Sequence, residues 1–145
     1  MKVLKPGDRV VWKKQIALEE IKQFANITED DNPVHFDEEV ARESGYPAPL
    51  VHGMLVNSLV STVMGTQLPG NGTVLMDQQV KYCGPVFAGD EVTVTLTFAE
   101  YEERNQFYIG TFEGVCHTQD GREVLNATCR QLMSKKIFTV QMDNM

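Results

Sequence analysis

The sequence contains few cysteines and no pattern that would link them to one another or to a metal. Of its 145 residues, three are cysteines, at positions 83, 116 and 129. No two of them form a CxxC pair, and an odd number cannot close a complete disulfide framework. We therefore expect three buried thiols that act as small apolar side chains, no metal site, and a reducing, cytoplasmic environment.

Long apolar runs and an excess of positive charge are also missing. No segment approaches the roughly 18 apolar residues that a membrane-spanning helix needs, and the first residues lack the apolar stretch of a signal peptide. The formal net charge is −7 at pH 7. An acidic chain attracts nucleic-acid phosphates poorly, so we expect neither a nucleic acid nor a membrane as partner.

Two common catalytic motifs are absent as well. The chain has no glycine-rich phosphate loop followed by lysine, and no GxSxG elbow that would present a nucleophilic serine. These absences remove nucleotide hydrolysis and serine-hydrolase chemistry of the usual kinds from consideration.

The first half of the chain shows helical spacing. Residues 16–25 and 37–45 have apolar and acidic positions typical of short helices, the second of which ends at Gly45. A third helix is predicted to begin at Gly53 and to end before Gly65. It is apolar around most of its circumference, which is typical of a buried helix.

The second half changes to a period of two residues. Residues 91–100 alternate Val, Val, Leu and Phe with Thr, Thr, Thr and Ala, as in a half-buried strand. Residues 73–82, 106–118 and 123–133 are also predicted strands, and "QDGR" at 119–122 predicts a hairpin turn. Helices followed by strands indicate a single α+β domain over residues 1–145, with an antiparallel sheet that wraps around the central helix. A second subunit would protect its open edges.

The stretch "TEDDNPVH" (Thr28 to His35) contains the first candidate for chemistry. A turn fixed by Pro33 could bring the carboxylate of Asp30 close to the imidazole of His35, because the two residues are five positions apart. Such a pair is suited to general acid–base catalysis. A purely structural alternative remains open, since Asp-x-Asn-Pro also caps helices and forms turns.

The stretch "VHGML" contains the second candidate. Gly53 opens the predicted central helix, where backbone N–H groups lack acceptors and could stabilise an oxyanion or enolate. Asn57 and Ser61 follow at intervals of four residues and lie on the same side of this helix. The structural alternative is that their side chains bond to the backbone of their own helix. His52 has no visible partner and is interpreted as structural, and His117 is predicted to lie on the surface.

Together, "ITEDDNPVHFD", "PLVHGMLVNSLVSTVMGTQLPGNG" and "PVFAGDEVTV" resemble the MaoC-like family of (R)-specific enoyl-CoA hydratases. The resemblance extends from about Leu4 to Met133 and leaves residues 134–145 unassigned. It implies a hot-dog fold, a homodimer and an acyl-CoA substrate, with no metal or redox cofactor beyond the coenzyme A of the substrate itself.

The resemblance also assigns roles residue by residue. Asp30 and His35 take the positions of the catalytic pair, and Gly53 that of the backbone oxyanion donor. Asn32 takes the motif asparagine, and Ser61 an accessory serine. The implied reaction is the reversible hydration of trans-2-enoyl-CoA to (R)-3-hydroxyacyl-CoA.

Three alternatives stay open at this point. The fold would also suit an acyl-CoA thioesterase, a dehydratase acting on an acyl carrier protein or on a branched thioester, or a non-catalytic acyl-CoA-binding subunit. The intact acid–base motif favours hydration, because a protein that only binds its ligand needs neither group.

Overall fold

The computed structural model describes residues 1–142. Its elements in chain order are β1 (Lys2–Leu4), β2 (Arg9–Gln15), α1 (Leu18–Thr28), a 3-10 turn (Pro33–His35), α2 (Glu38–Glu43), α3 (Gly53–Thr66), β3 (Val74–Tyr82), β4 (Glu91–Glu103), β5 (Phe107–Thr118), β6 (Glu123–Ser134) and β7 (Phe138–Val140).

Five strands form one antiparallel sheet in the order β2-β4-β5-β6-β3. The alternation predicted for residues 91–100 is confirmed, since Val92, Val94, Leu96 and Phe98 are all fully buried. Their side chains and those of β5 and β6 form the inner face of the sheet, against which α3 packs. This is the expected α+β hot-dog architecture.

Small residues let α3 approach the sheet closely. Leu96, Gly114 and Ala127 lie side by side on β4, β5 and β6. A β-carbon added at Gly114 would lie only 2.9 Å from a methyl carbon of Val60 on α3. Because such a contact is too short for two carbon atoms, a larger residue at position 114 would push the helix away from the sheet.

The central helix differs from its prediction in two respects. It continues through Gly65 to Thr66, and only one side of it is buried. Met54, Ser61 and Thr62 are exposed, whereas Val60 and Val63 are fully buried. The expectation of burial around most of the circumference was therefore wrong for the single chain.

The sequence pattern missed three strands. β2 is an edge strand whose inward positions include Lys14 and whose outward positions include Val11, so its residues do not alternate by polarity. β1 and β7 have three residues each and pair in parallel. The previously unassigned tail thus contributes β7, whose Phe138 joins the core, while residues 143–145 lie outside the described part of the chain.

The three cysteines do not share one environment. Cys116 and Cys129 are buried as expected, and burial raises the pKa of their thiols to about 12 and about 11. Cys83, which follows β3, is exposed, contrary to expectation. All three are free thiols.

None of the helices within residues 1–142 has both the length and the apolar character required to cross a membrane. The organisation of residues 1–145 as a single domain stays a prediction.

Candidate active site

The loop after α1 begins with a backbone reversal. Glu29 adopts a left-handed conformation with φ of 63° and ends the helix. The backbone N–H of Asp30 then donates to Oγ1 of Thr28 at 3.2 Å. The half-exposed Asp30 side chain that follows lies near the start of α3, with a carboxylate oxygen 3.8 Å from Nε2 of His52.

Asn32 builds the 3-10 turn that follows. Its side-chain oxygen accepts a hydrogen bond from the N–H of Val34 at 3.3 Å, and Pro33 occupies the first position of the turn. Proline fixes its own φ near the value that a helical turn needs. The asparagine of the motif therefore shapes the turn that presents His35, and the structural and catalytic interpretations of the motif are compatible.

Leu50 holds this turn with both of its backbone groups. Its N–H donates to the carbonyl of Val34 at 3.0 Å, and its carbonyl oxygen lies 2.9 Å from Nδ1 of His35. A carbonyl can only accept, so Nδ1 of His35 carries a proton. In the neutral ring, Nε2 is then left unprotonated and able to accept a proton from a bound molecule.

An extended segment connects Leu50, which holds the turn, to the central helix. Leu50 forms a bridge with Phe87, and the N–H of Val51 donates to the carbonyl of Val86 at 2.8 Å. His52 follows at once as the N-terminal cap position of α3. The position of His35 is thus tied to the start of the helix through two residues of extended backbone.

Gly53 is the first residue of α3 and is exposed. The first hydrogen bonds of the helix run from Leu55 and Val56 to the carbonyl of His52, so the N–H of Gly53 has no acceptor within the helix. A β-carbon at this position would lie 3.0 Å from Cε1 of the Tyr82 ring. A larger residue at position 53 would therefore require the exposed Tyr82 ring at the end of β3 to shift.

Three side chains converge at this point. One carboxylate oxygen of Asp30 and one ring nitrogen each of His35 and His52 all lie within 4.8 Å of one another. Asp30 and His35 were predicted to meet, and they do. Gly53 lines the same cleft as the pair.

His52 is the site residue that sequence reasoning missed. The expectation that it has no partner was wrong: its ring stacks on His35, with centroids 3.8 Å apart, and its Nε2 lies 3.3 Å from the carbonyl oxygen of Asp30. Asp30 and His52 are 22 positions apart, and no local spacing links them. Only its adjacency to Gly53 could have drawn attention to it.

The buried position of His52 lowers the pKa of its imidazole, because desolvation disfavours the charged ring. A positive charge on the neighbouring His35 also lowers the pKa of His52. The carbonyl and the carboxylate of Asp30 oppose these effects without cancelling them. His52 is therefore neutral near pH 7.

Two clefts meet at His35 and Gly53. One, of about 310 Å³, contains the Asp30 and His52 side chains. The other, of about 330 Å³, is mainly apolar and is lined by, among others, Tyr46, Leu50, Val51, Val56, Tyr82, Val86 and Val124. The arrangement can hold a polar reacting group beside an apolar chain.

A larger cleft of about 640 Å³ lies elsewhere on the Asp30 loop and contains none of the three clustered side chains. Asp31 lines that cleft together with Glu29 and Lys22. The two adjacent carboxylates thus face different surroundings, which supports Asp30 rather than Asp31 as the reacting acid.

Ser61 and Asn57 lie further along α3. Ser61 is eight residues from Gly53, about 12 Å along the helix, and is exposed. The structure therefore does not bring it to the Asp30–His35 pair. Asn57 is buried, and its side-chain oxygen has no hydrogen-bond partner among the described residues. His117, expected on the surface, is half-buried on β5 and is not one of the three clustered side chains.

A family model described as MaoC like domain matches residues 4–113. The chain belongs to this MaoC-like family. The match includes the Asp30 loop, all of α3 and most of the sheet.

Curated and solved relatives agree with this assignment. The (R)-specific enoyl-CoA hydratase of Aeromonas caviae is 38% identical over 100 residues, which cover 69% of this chain and 75% of that protein. A mitochondrial 3-hydroxyacyl-[acyl-carrier-protein] dehydratase of Arabidopsis thaliana is 35% identical over 114 residues (79% and 68%). The solved (R)-hydratase from A. caviae superimposes with a TM-score of 0.84 at 33% identity, covering 90% of this chain and 97% of that chain.

The lowered pKa of His52 predicts a pH-dependent stability. Below about pH 6.5 the unfolded chain binds a proton at His52 that the folded chain does not bind, so the folded state loses stability as the pH falls. One such proton changes the free energy of unfolding by at most about 1.4 kcal/mol per pH unit. Replacing His52 with Phe should make the decline between pH 7 and pH 5 less steep.

Urea denaturation of the parent and His52→Phe at several pH values measures this slope. His117→Phe, the same replacement on β5, controls for the loss of an imidazole elsewhere. Identical slopes for the parent and His52→Phe would show that the folded protein protonates His52 as readily as the unfolded chain.

Proposed function

We propose that this protein is an (R)-specific enoyl-CoA hydratase, which reversibly adds water to trans-2-enoyl-CoA to give (R)-3-hydroxyacyl-CoA. The main support for the proposal is that Asp30, His35 and the helix start at Gly53 all line one cleft. The similarity to the A. caviae (R)-specific enoyl-CoA hydratase supports it.

The proposed reaction uses Asp30 and His35 as one acid–base unit. A water molecule bound between the carboxylate and Nε2 of His35 gives up a proton to the pair as its oxygen bonds to C3 of the substrate. The pair then delivers a proton to C2 on the same face, so that one C–O and one C–H bond replace the double bond. Leu50 fixes the His35 tautomer that this step needs.

The N-terminus of α3 would stabilise the charge that develops on the thioester oxygen. The N–H of Gly53 has no acceptor within the helix, and the helix dipole adds a partial positive charge at that end. One such donor is typically worth about 3 kcal/mol of transition-state stabilisation. Glycine has no side chain that would hinder the approach of a substrate to this N–H.

The apolar cleft beside His35 is suited to the acyl chain. Its volume of about 330 Å³ is near the lower end of the range for small-molecule sites. Valine and leucine side chains line it, so a short, unbranched enoyl group such as crotonyl would bury its alkyl end there. Asn32 keeps its proposed accessory role through the turn that positions His35, whereas Ser61, which the single chain does not bring to the pair, has no role in this mechanism.

A second candidate is a dehydratase that acts on thioesters of an acyl carrier protein. The 35% identity to the Arabidopsis dehydratase favours it, and the chemistry at Asp30 and His35 would be the same in reverse. Comparing kcat/KM for the same acyl group on coenzyme A and on the carrier protein decides between them.

The catalytic pair gives the first test of this function. Asp30→Asn and His35→Ala should each lower kcat for crotonyl-CoA hydration by at least about a hundredfold, because each removes one half of the acid–base unit. The decrease in enoyl-thioester absorbance measures the rate. Asp31→Asn, an identical change at the adjacent residue, is the control and should retain at least about half the parent kcat. Near-parental turnover in a folded Asp30 or His35 variant would refute the assignment.

We also propose that hydration requires no metal or redox cofactor. Asp30, His35 and His52 are the donor types that metals use, but the two rings are nearly parallel. The lone pair of an imidazole nitrogen lies in the plane of its ring, so two stacked rings do not direct their lone pairs toward one ion. Nε2 of His52 also faces a carbonyl and is therefore protonated.

Removal of metal tests this part of the proposal. Protein dialysed against EDTA should keep the full kcat of untreated protein in metal-free buffer. A loss of activity that added Zn²⁺ or Mg²⁺ restores would contradict it.

We propose further that the protein is a homodimer joined along β3. This strand forms one edge of the five-stranded sheet, and eight of its nine residues are exposed. Val74, Leu75, Met76 and Tyr82 expose apolar side chains there. A long apolar edge of this kind pairs readily with another strand, and a second copy would supply one by two-fold symmetry.

Sedimentation equilibrium should give about twice the chain mass of 16.3 kDa. Leu75→Lys combined with Met76→Lys should reduce it toward one chain mass, because two cations would be placed in the interface. Val11→Lys on β2, the opposite edge of the sheet, is the control. A monomeric parent, or dissociation by Val11→Lys alone, would contradict the β3 interface.

We place the protein in the cytoplasm, since its three free thiols suit a reducing compartment. Fractionation of the source cells tests this location.

A further inference from the structure

His52 is enclosed more completely than either member of the proposed catalytic pair. It is 3% exposed, and its ring contacts two others, with centroid distances of 4.9 Å to Phe24 and 3.8 Å to His35. The proposed reaction gives it no role. A titratable side chain that is buried at the centre of a reactive cluster requires an explanation.

The hydrogen-bonding atoms of the ring specify its protonation. Nε2 lies 3.3 Å from the carbonyl oxygen of Asp30 and 3.8 Å from its carboxylate, whereas the buried Nδ1 has no partner among the described residues. A proton on Nε2 can be donated to Asp30. A second proton on Nδ1 would leave a buried N–H and a buried charge without an acceptor, which is costly. The neutral Nε2–H form fits this environment.

Asp30 depends on this contact for its link to the rest of the fold. Its other described hydrogen bonds join it to Thr28, at the end of α1, and to Asn32, both only two residues away along the chain. The contact from His52 connects it instead to the start of α3, next to Gly53. The same ring supports the face of His35, which Leu50 fixes only at Nδ1.

We infer that His52 is a positioning residue: its neutral ring donates to the Asp30 backbone and stacks against His35, which holds the two reacting side chains at one spacing relative to the α3 N-terminus. This inference rests on the proposed hydratase function. Displacement of a reacting group by about 1 Å can lower a rate about a hundredfold, so the loss of such a support should reduce kcat more than substrate binding.

Two replacements separate the interactions of His52. His52→Phe keeps an aromatic ring in the stack and removes the donor, whereas His52→Gln places an amide N–H near the position of Nε2 and removes the ring. We expect His52→Phe to lower kcat for crotonyl-CoA at least about tenfold while KM changes less than about threefold. His52→Gln should restore kcat to within about fivefold of the parent.

Thermal unfolding of each variant separates positioning from loss of folded protein, and His117→Phe is the matched control. His52→Phe with a kcat within about twofold of the parent would overturn the inference. A His52→Gln variant that loses as much activity as His52→Phe would also overturn it, because the restored donor would then have no effect.

A measurement without substrate keeps this inference distinct from the proposed function. Nitrogen-15 NMR of the histidine rings at pH 7 should show His52 neutral with its proton on Nε2. A proton on Nδ1, or on both nitrogens, would overturn the inference even in an active hydratase. If the parent fails to hydrate crotonyl-CoA while His52 shows the Nε2–H form, the proposed function fails and the contact between His52 and Asp30 stands.

Discussion

The packing of one face of α3 against the sheet is the constraint on which the site depends. Val56, Leu59, Val60 and Val63 bury their side chains there, and each such burial stabilises the fold by about 1.5–3 kcal/mol. Gly114 and Ala127 leave the space that this close approach requires. Because the helix cannot shift without opening this core, its N-terminus has a fixed position at the end of the sheet.

The reactive loop is attached to this fixed point by backbone contacts. Leu50 binds the 3-10 turn with its N–H and the His35 ring with its carbonyl, and the two residues after it lead directly into α3. His52 adds a contact to Asp30 from the helix side. A loop that is largely exposed therefore presents the two proposed catalytic side chains in a defined geometry, as general acid–base chemistry requires.

The parts of this structure that the sequence predicts are those with local causes. The alternation from Val92 to Phe98, the glycine at the start of α3 and the five-residue spacing of Asp30 and His35 all follow from neighbours in the chain. The features it misses depend on distant contacts. His52 meets Asp30 because the segment around Leu50 folds back onto the turn. The sequence of β2 does not alternate between apolar and polar residues, because an edge strand tolerates Lys14 at an inward position.

The described residues of the single chain cover neither the open face of α3 nor the edge of β3. The helix contains enough apolar residues to suggest complete burial, yet the single chain covers only one side of it. Ser61 and Thr62 on the other side are small and polar. The periodicity of a sequence identifies the apolar side chains of a helix or strand. Residues that bury those side chains can come from the same chain or from a second copy, and the periodicity is the same in both cases.

The cleft at Asp30 and His35 is proposed to add water to an enoyl thioester. The most direct test incubates the purified protein with crotonyl-CoA, follows enoyl absorbance and free thiol together, and determines the configuration of the product. We expect loss of the enoyl signal without release of thiol, and a product that is the (R)-3-hydroxy thioester. Release of thiol at the rate of substrate loss would contradict it and would indicate a thioesterase, and an (S) product would show that the proposed facial geometry at Asp30 and His35 is wrong.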